Sequence, residues 1–296
     1  MNVLITGASS RIGRGVLENL DKVFNLEDEI WLTQRTSLIP DYPSFKKFNK
    51  VYIIRDSSSK FAPKVYDFVL HLAGVVDTKY CNRPENAREV IDSNVGLTAS
   101  MCQSAKRVLF VSTDNVFSGN SEGRFYTEQD SIEPANFYGL SKACAERVVI
   151  HFGGVVVRVQ SMLGVDNRLI TPMVRTLQGF DHLPFWNNIF LRPAYLFDFL
   201  KMLRRIYIGE YRNVIYHCSC SGEPLSRFDI ADAVLNYFRR HNIPSSREEM
   251  PQEVCTISFP RRLVLDTAWT CGQLSVNFTD VRLAIERHLD VLFEQA

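Results

Sequence analysis

Tyr138 and Lys142 are four residues apart in a segment with a helical pattern, residues 136–149. Residues at positions i and i+4 share one face of a helix, so the lysine ammonium can lie beside the phenol. A nearby cation favours the phenolate and lowers a tyrosine pKa from its usual value of about 10. Such a tyrosine is a usable general acid and base near neutral pH. Tyr42 and Lys46 have the same spacing, so spacing alone does not define a site.

The surroundings of the two pairs differ. Pro43 lies inside the Tyr42 pair, in a stretch with the composition of a loop. Ahead of Tyr138, an apolar strand pattern over 107–113 ends in Thr113, and side chains at the carboxyl end of a parallel strand face the ligand crevice of an open α/β sheet. Thr113, Tyr138 and Lys142 are therefore interpreted as a proton-transfer group. The alternative is that Thr113 ends a strand and Tyr138 only packs in the core.

A glycine-rich turn follows the first strand pattern, in the segment TGASSRIGRG at 6–15. Glycines at a strand-to-helix junction let the backbone approach a pyrophosphate, and the helix N-terminus supplies N–H groups and a positive dipole end. A tight loop that merely needs small residues is the alternative. The pattern predicts that this turn holds the pyrophosphate of a dinucleotide.

The end of the second strand pattern indicates which nicotinamide cofactor binds. In NAD-binding folds an acidic residue about 20 positions beyond the glycines accepts hydrogen bonds from the ribose 2′-hydroxyl. Here Gln34 and Arg35 stand at that position instead. A guanidinium pairs well with a 2′-phosphate, and Arg11 adds a second positive charge. The prediction is NADPH, with NADH as the alternative.

Short β-branched runs alternate with helical patterns over the first 160 residues. Such alternation predicts a parallel sheet covered on both faces, which is a Rossmann-type doubly wound α/β fold. The expected strands are 2–6, 29–33, 51–55, 67–73, 107–113, 154–160 and 214–219, and the expected helices 12–24, 84–105, 137–151, 226–241 and one after Thr279. We expect a cofactor domain at 1–160 and a smaller, interleaved substrate-binding lobe at 161–296, with segments of about 189–242 returning to the core.

The composition excludes several classes of function. The chain has 296 residues, 46% of them hydrophobic, and a net charge of +1, so no long-range field would gather nucleic acid or an anionic membrane. The seven cysteines form no CxxC, and the six histidines show no metal-ligand spacing, so we expect free thiols, no metal site and a cytoplasmic protein. His71 and His217 are expected to be core residues and Asp198 a charge on a helix face.

Beyond these patterns, long stretches resemble a known family. STDNVFSG (112–119), FYTEQDSIEPANFYGLSK (125–142), HLAGVVD (71–77), RPAYLFDFL (192–200) and FPRRLVLDTAWTCGQL (259–274) are similar, in order, to segments of the dTDP-4-dehydrorhamnose reductase-like branch of the extended short-chain dehydrogenase/reductases. The resemblance covers about residues 1–290. It implies an NADPH-dependent reductase of a nucleotide-linked 4-keto-6-deoxy sugar, with a homodimer as a candidate assembly.

The resemblance also assigns residues. It makes Thr113, Tyr138 and Lys142 the catalytic group, places Ala73 and Gly74 on the cofactor crevice, and puts Asp56 near the adenine. It also implies that the pyrophosphate contacts the turn at Gly7, Ser9, Ser10, Arg11, Ile12 and Gly13. Asn115 replaces a tyrosine usual beside the sugar site, so the identity of the sugar stays open. Arg192 is a candidate contact for the substrate diphosphate, and an ordinary surface arginine is the alternative.

Two other functions remain open. An epimerase or dehydratase of nucleotide sugars uses the same group with a recycled NAD, but dehydratases of the family usually carry an acidic pair after the threonine, and here Asn115 follows Asp114. The other is a non-catalytic regulatory subunit that binds the cofactor.

Overall fold

The computed structural model describes residues 1–34, 37–55, 65–121, 123–165, 167–249, 251, 253–256 and 260–294. The strands are β1 Asn2–Thr6, β2 Glu29–Gln34, β3 Lys50–Arg55, β4 Phe68–His71, β5 Val108–Thr113, β6 Val155–Val159, β7 Met162–Leu163, β8 Phe190–Leu191, β9 Ala194–Tyr195, β10 Val214–Cys218 and β11 Leu225–Ser226. The α-helices are α1 Arg11–Glu18, α2 Leu20–Val23, α3 Thr78–Cys81, α4 Ala87–Ile91, α5 Leu97–Gln103, α6 Phe137–His151, α7 Ile170–Leu177, α8 Leu196–Ile208, α9 Arg227–Arg240, α10 Ala268–Leu274 and α11 Val281–Glu294.

Within the described residues, seven strands form one sheet in the order β10-β6-β5-β4-β1-β2-β3. Every pairing in this sheet is parallel. All residues of β4, β5 and β6 are buried, as expected for strands that are covered on both faces. The predicted Rossmann-type doubly wound fold is confirmed.

Helices cover the two faces of the sheet. On one face α1, α2 and α8 contribute Leu17, Leu20 and Phe199 to the largest apolar cluster. On the other face α5 and α6 contribute Met101 and Val149 to a second cluster. Because α6 packs directly on β5, its first turn is held beside the carboxyl end of that strand.

The second half of the chain contributes to both parts of the molecule. Strand β10 pairs with β6, and α8 packs against α2 in the main core. Helices α7, α9 and α11 instead share a separate apolar cluster with Phe185, which forms the core of a second lobe. The division into domains at residue 160 stays a prediction.

Three expectations about individual elements need correction. The helix expected at 12–24 is two helices, because Asn19 leaves helical geometry (φ −129°, ψ 30°) and its side chain donates to the Gly15 carbonyl, 2.9 Å. The helix expected at 84–105 includes a 3₁₀ turn, Pro84–Asn86, and a π-helical turn, Asp92–Gly96. Asp198 is 2% exposed and accepts a hydrogen bond from the Thr279 backbone N–H, 2.6 Å, because α8 packs beside the segment that leads into α11.

Among the helices of the described chain, none combines the length and the hydropathy that crossing a bilayer would require.

Candidate active site

The carboxyl ends of β1, β4 and β5 meet at one edge of the sheet, because the strands are parallel and adjacent. His71 links two of these regions from inside the core: its Nδ1 lies 2.6 Å from Thr6 Oγ1 and its Nε2 lies 2.9 Å from Thr98 Oγ1. Burial lowers the pKa of His71 to about 3, so the imidazole is neutral. His217 is also fully buried, and both histidines are core residues, as expected.

The glycine-rich turn is built by close backbone approaches. Gly7 has φ +65°, and a Cβ on it would lie 2.6 Å from the Ala73 backbone nitrogen, so the turn presses against the segment after β4. Ser10 is the N-cap of α1 and its hydroxyl accepts a hydrogen bond from the Gly13 N–H, 3.1 Å. A Cβ on Gly13 would lie 2.4 Å from the Gly7 carbonyl oxygen, so only glycine lets α1 start here.

This turn fits a dinucleotide pyrophosphate. The first turn of α1, which the structure describes completely, carries no acidic side chain, and Arg11 begins the helix. Ser9, Ser10 and Ile12 are half-buried. Ala73 lies against the turn, and Gly74, the next residue, faces Asn94; both are half-buried as well. Arg35 and Asp56 lie outside the described residues, so their proposed contacts with the 2′-phosphate and the adenine stay predictions.

Thr113 ends β5 and its hydroxyl lies in a short hydrogen-bond network. It donates to Asp114 Oδ1, 3.0 Å, and accepts from the Asn115 backbone N–H, 3.2 Å. Asp114 is buried, and its Oδ2 accepts a hydrogen bond from Gln160 Nε2, 2.6 Å. Both carboxylate oxygens of Asp114 thus have donors from the protein, and burial raises the pKa of Asp114.

The first turn of α6 places Tyr138 beside Thr113. Asn136 is the N-cap and accepts from the Gly139 N–H, 2.8 Å. A Cβ on Gly139 would lie 2.0 Å from the Asn115 carbonyl oxygen, so glycine at this position lets α6 begin directly against the turn after β5. Tyr138 is 9% exposed.

The electrostatics of Tyr138 differ from the expectation. Burial raises the pKa of Tyr138 well above its ordinary value, whereas hydrogen bonding with Thr113 and the charge of Arg168 act in the opposite direction. The expected lowering of the Tyr138 pKa is therefore wrong, because desolvation of the buried phenol dominates. The phenol stays protonated at neutral pH.

Lys142 is buried at the centre of the site, with 4% exposure. Its Nζ donates to the Val111 carbonyl oxygen of β5, 2.7 Å, and lies 3.9 Å from the centre of the Phe110 ring. Burial lowers the pKa of Lys142 to about 7, although the carboxylate of Glu146 one helical turn later favours the charged form. Among the described residues, the Val111 carbonyl accepts a hydrogen bond from one of the three ammonium N–H groups. The other N–H groups can donate to the hydroxyls of a ligand.

Glu146 is itself held in a buried ion pair. Arg158 of β6 donates to both of its carboxylate oxygens, with Nε–Oε1 3.0 Å and Nη2–Oε2 2.8 Å, and the two side chains are 1% and 2% exposed. This ion pair holds α6 against β6, the strand that pairs with β5. This fastening fixes the depth and rotation of the helix that carries Tyr138 and Lys142.

The two candidate substrate residues have protein partners. Asn115 donates to Asp114 Oδ1, 3.0 Å, and accepts from Asn136 Nδ2, 3.2 Å. Arg192 is 5% exposed, not an ordinary surface arginine, and its guanidinium donates to Ser219 Oγ, 3.2 Å, and to the Gly222 and Leu265 carbonyls. These contacts place Arg192 inside the lobe, and its role toward a diphosphate stays a prediction that they do not support.

Sequence reasoning missed Asn94, a buried amide inside the helical segment before β5. Its side chain bonds both backbone groups of Val75, with Val75 N–Oδ1 2.7 Å and Nδ2–Val75 O 3.0 Å. The same Nδ2 donates to Ser141 Oγ, 2.9 Å, and Ser141 donates to the Tyr138 carbonyl, 2.8 Å. Asn94 thus joins the loop after β4 to α6. A polar residue on the buried face of a helix was the available signal.

The parallel doubly wound sheet, with Thr113, Tyr138 and Lys142 at its carboxyl edge, is the arrangement that the sequence resemblance leads us to expect. Comparison with known proteins agrees: the model of the RmlD substrate binding domain matches residues 1–292, and the chain belongs to this family. The resemblance to dTDP-4-dehydrorhamnose reductases within the extended short-chain dehydrogenase/reductases is confirmed.

Two curated relatives represent different functions. The chain is 26% identical over 270 residues to the mouse methionine adenosyltransferase 2 subunit beta, covering 82% of this chain and 73% of that protein. It is 29% identical over 249 residues to the dTDP-4-dehydrorhamnose reductase of Aggregatibacter actinomycetemcomitans, covering 79% and 78%.

Solved structures share the fold. The dTDP-4-dehydrorhamnose reductase from Bacillus anthracis, in complex with NADP, superposes with a TM-score of 0.75 at 16% identity and covers 100% of this chain and 98% of its own. The dTDP-glucose 4,6-dehydratase DesIV from Streptomyces venezuelae, with NAD bound, superposes with a TM-score of 0.80 at 17% identity and covers 99% and 97%.

Proposed function

We propose that this protein reduces the 4-keto group of a nucleotide-linked 6-deoxy sugar with NADPH, and that Tyr138 is the proton donor. The observation that carries the proposal is that the Thr113 and Tyr138 side chains lie within hydrogen-bonding reach of each other, close to the buried Lys142. They lie at the same edge of the sheet as a turn that fits a pyrophosphate. Family membership and the similarity to a dTDP-4-dehydrorhamnose reductase support the choice of substrate class.

Each residue has a defined task in this proposal. Tyr138 donates its phenolic proton to the oxygen of the substrate carbonyl, and its raised pKa keeps that proton in place until the oxygen gains charge. Thr113 orients the carbonyl through its hydroxyl, whose single proton turns from Asp114 Oδ1 to the carbonyl oxygen when the substrate binds. Lys142 binds the hydroxyls of the nicotinamide ribose with the donors that Val111 leaves available. A bound dihydronicotinamide supplies the hydride.

The proposed cofactor rests on the turn and on relatives. Gly7, Gly13 and the Ser10-capped helix accommodate a pyrophosphate, and the Bacillus anthracis relative binds NADP. The proposed preference for NADPH over NADH rests on Arg35, which lies outside the described residues, and on Arg11.

The decisive experiment measures NADPH oxidation with TDP-, UDP- and GDP-linked 4-keto-6-deoxy sugars. The wild-type protein should oxidise NADPH with one member of this panel, and Tyr138→Phe should not. Full activity of Tyr138→Phe would overturn the role of the phenol. Conversion of sugars without net NADPH oxidation would indicate an epimerase or dehydratase instead.

A second candidate function is a cofactor-binding regulatory subunit. The similarity to the mouse methionine adenosyltransferase 2 subunit beta, over 82% of this chain, favours it. Purification from the native source with a methionine adenosyltransferase, together with no turnover of any keto sugar, would support this candidate. Robust turnover by the isolated chain would count against it.

A further inference from the structure

One charged side chain of the second lobe faces the candidate active site without being part of it. Arg168 lies between β7 and α7, on a turn held by the buried Asn167. Asn167 Oδ1 accepts from the backbone N–H groups of Leu169, 2.7 Å, and Ile170, 2.8 Å, and its amide donates to the Met162 carbonyl. These bonds hold the backbone on both sides of Arg168, whose side chain is 56% exposed.

Asp77 lies opposite, on the sheet side of the crevice. It is the N-cap of α3 and accepts from the Tyr80 N–H, 2.9 Å. Cys81 at the end of α3 packs with Tyr138 in one apolar cluster, so Asp77 belongs to the wall beside the reacting phenol. Val75, two residues earlier, is anchored by Asn94, which makes this wall rigid.

The two side chains meet across the crevice in a weak ion pair. Arg168 Nη1 lies 3.3 Å from Asp77 Oδ2, and the side chains are 56% and 49% exposed. Pairs this exposed contribute little to stability. Among the described residues, the contact with Asp77 uses one of the five N–H donors of the Arg168 guanidinium. The other donors can bind a further oxyanion. The positive charge also reaches the site, since it acts on the Tyr138 phenol.

We propose that Arg168 is a substrate-binding residue that releases Asp77 and binds an oxyanion of the nucleotide-sugar substrate. This inference rests on the proposed function, since it assumes that a nucleotide sugar enters the crevice. A guanidinium binds phosphate or carboxylate oxygens in a planar, two-bond geometry, which a single 3.3 Å contact to Asp77 does not provide. Asp77 balances the charge until the ligand arrives.

The oxyanion has two sources in such a substrate. One is the diphosphate that every nucleotide sugar carries. The other is the carboxylate of a uronate sugar, which a 6-deoxy sugar lacks, so that outcome would keep the oxyanion site and change the sugar class of the proposed function. Binding of UDP, UDP-glucose and UDP-glucuronate distinguishes them, because all three contain the diphosphate and UDP-glucuronate alone adds a carboxylate. The set is repeated with dTDP and GDP, because the nucleotide is not identified.

The test is calorimetric titration of wild type, Arg168→Gln, Arg168→Lys and Asp77→Asn at low salt. Arg168→Gln should weaken binding roughly tenfold or more, since a charge-assisted contact is lost. Arg168→Lys should lie between, because lysine keeps the charge without the planar fork. Asp77→Asn should tighten binding, because it removes the competing carboxylate. Arg175→Gln is the matched control: Arg175 forms an ion pair of similar exposure with Asp181 on the same lobe, and its loss should change nothing.

The direction of the change in affinity distinguishes an arginine that leaves Asp77 to bind the ligand from an ion pair that only holds the two lobes together. A pair that only holds the lobes together would respond in the same direction to loss of either partner. Weakened binding in both Arg168→Gln and Asp77→Asn, unchanged binding in Arg168→Gln, or no binding of any of these compounds to wild type would each overturn the inference. Loss confined to UDP-glucuronate supports a sugar carboxylate, and equal loss for all three supports the diphosphate.

The outcome is separable from that of the proposed function. If the wild type turns over no keto sugar but Arg168→Gln still weakens binding, the reductase proposal fails and the oxyanion site stands. If turnover occurs and Arg168→Gln changes neither Kd nor KM, the inference fails and the reductase proposal stands. A rise in KM with little change in kcat is the expected result, because Arg168 binds the substrate and Tyr138 transfers the proton.

Discussion

The pairs Tyr138/Lys142 and Tyr42/Lys46 have identical spacing and tyrosines that are both 9% exposed, yet they differ in what surrounds the lysine. Lys142 is buried and bonded to the Val111 carbonyl, whereas Lys46 is exposed. Burial of the phenol is therefore not the feature that separates a candidate site from a packing residue. The feature that separates them is the burial of the neighbouring lysine.

Helix type explains part of this difference. Tyr138 and Lys142 lie on an α-helix of 15 residues, where positions i and i+4 share a face. Tyr42 precedes a 3₁₀ helix, Pro43–Lys47, whose three residues per turn rotate position i+4 away from position i. The Tyr42 ring instead packs edge-on against Phe45, with ring centres 5.5 Å apart.

The largest expected effect is on turnover. Tyr138→Phe removes the proton donor and should lower kcat roughly 10²- to 10⁴-fold, the usual contribution of a positioned general acid. Tyr42→Phe should leave kcat unchanged, because its hydroxyl lies in a different part of the fold. Steady-state NADPH oxidation with the active sugar checks both. Equal losses of kcat in the two variants would contradict the distinction between Tyr138 as the proton donor and Tyr42 as a packing residue.

Next in size is the ion pair beneath Lys142. Glu146→Gln leaves the Arg158 charge buried without its counter-ion and should lower the free energy of unfolding by about 3–5 kcal/mol. Glu286→Gln breaks the exposed pair with Arg240 and should cost at most about 1 kcal/mol. Urea unfolding measures both. A small effect of Glu146→Gln would show that α6 does not depend on this anchor.

A third prediction concerns stability as a function of pH. The pKa of Lys142 is about 7 in the folded protein, against an ordinary value of 10.5, so the unfolded chain binds more protons between these values. Stability from this site therefore rises with pH across that window, by at most about 1.4 kcal/mol per pH unit. Lys142→Met should be more stable than wild type at pH 7, and the gap should shrink toward pH 10.

Lys46→Met is the control for this measurement. Its side chain is exposed, so the difference from wild type should show no comparable slope with pH. Thermal unfolding of the three proteins from pH 7 to pH 10, without cofactor, provides the data. A constant gap between Lys142→Met and wild type would contradict the lowered pKa of Lys142.

The smallest effect is expected at Lys46 itself. Lys46→Ala should change the free energy of unfolding by less than about 0.5 kcal/mol, as is usual for surface substitutions, and should leave turnover unchanged. The same two assays report it. Loss of activity in this variant would place the 3₁₀ segment at the site and remove the contrast between the two pairs.

Much of the fold could be predicted because its signals are local. Apolar runs bounded by polar turns located the strands of the parallel sheet to within one or two residues. The break at Asn19 was missed because it depends on one side chain that bonds back to the Gly15 carbonyl. The π-helical turn around Asn94 was missed for a similar reason, since it is coupled to Val75 and Ser141 on other segments.

The candidate site divides in the same way. The glycine turn, Thr113, Tyr138 and Lys142 were identified from spacing, position and family resemblance. The burial of Arg192 was missed, because its acceptors at Ser219, Gly222 and Leu265 are distant in sequence. The pair of Arg168 and Asp77 gave no sequence signal, because 91 residues separate its members.

The sequence by itself determined the family, the order of strands and helices, and which tyrosine belongs to the candidate site. Only the tertiary structure decided the protonation of that site. A pKa depends on desolvation and on charges brought close by folding, and neither can be read from neighbours along the chain. For this reason folding lowers the pKa of Lys142 and raises that of Tyr138, chiefly through burial, and brings the charge of Arg168 close enough to act on the phenol.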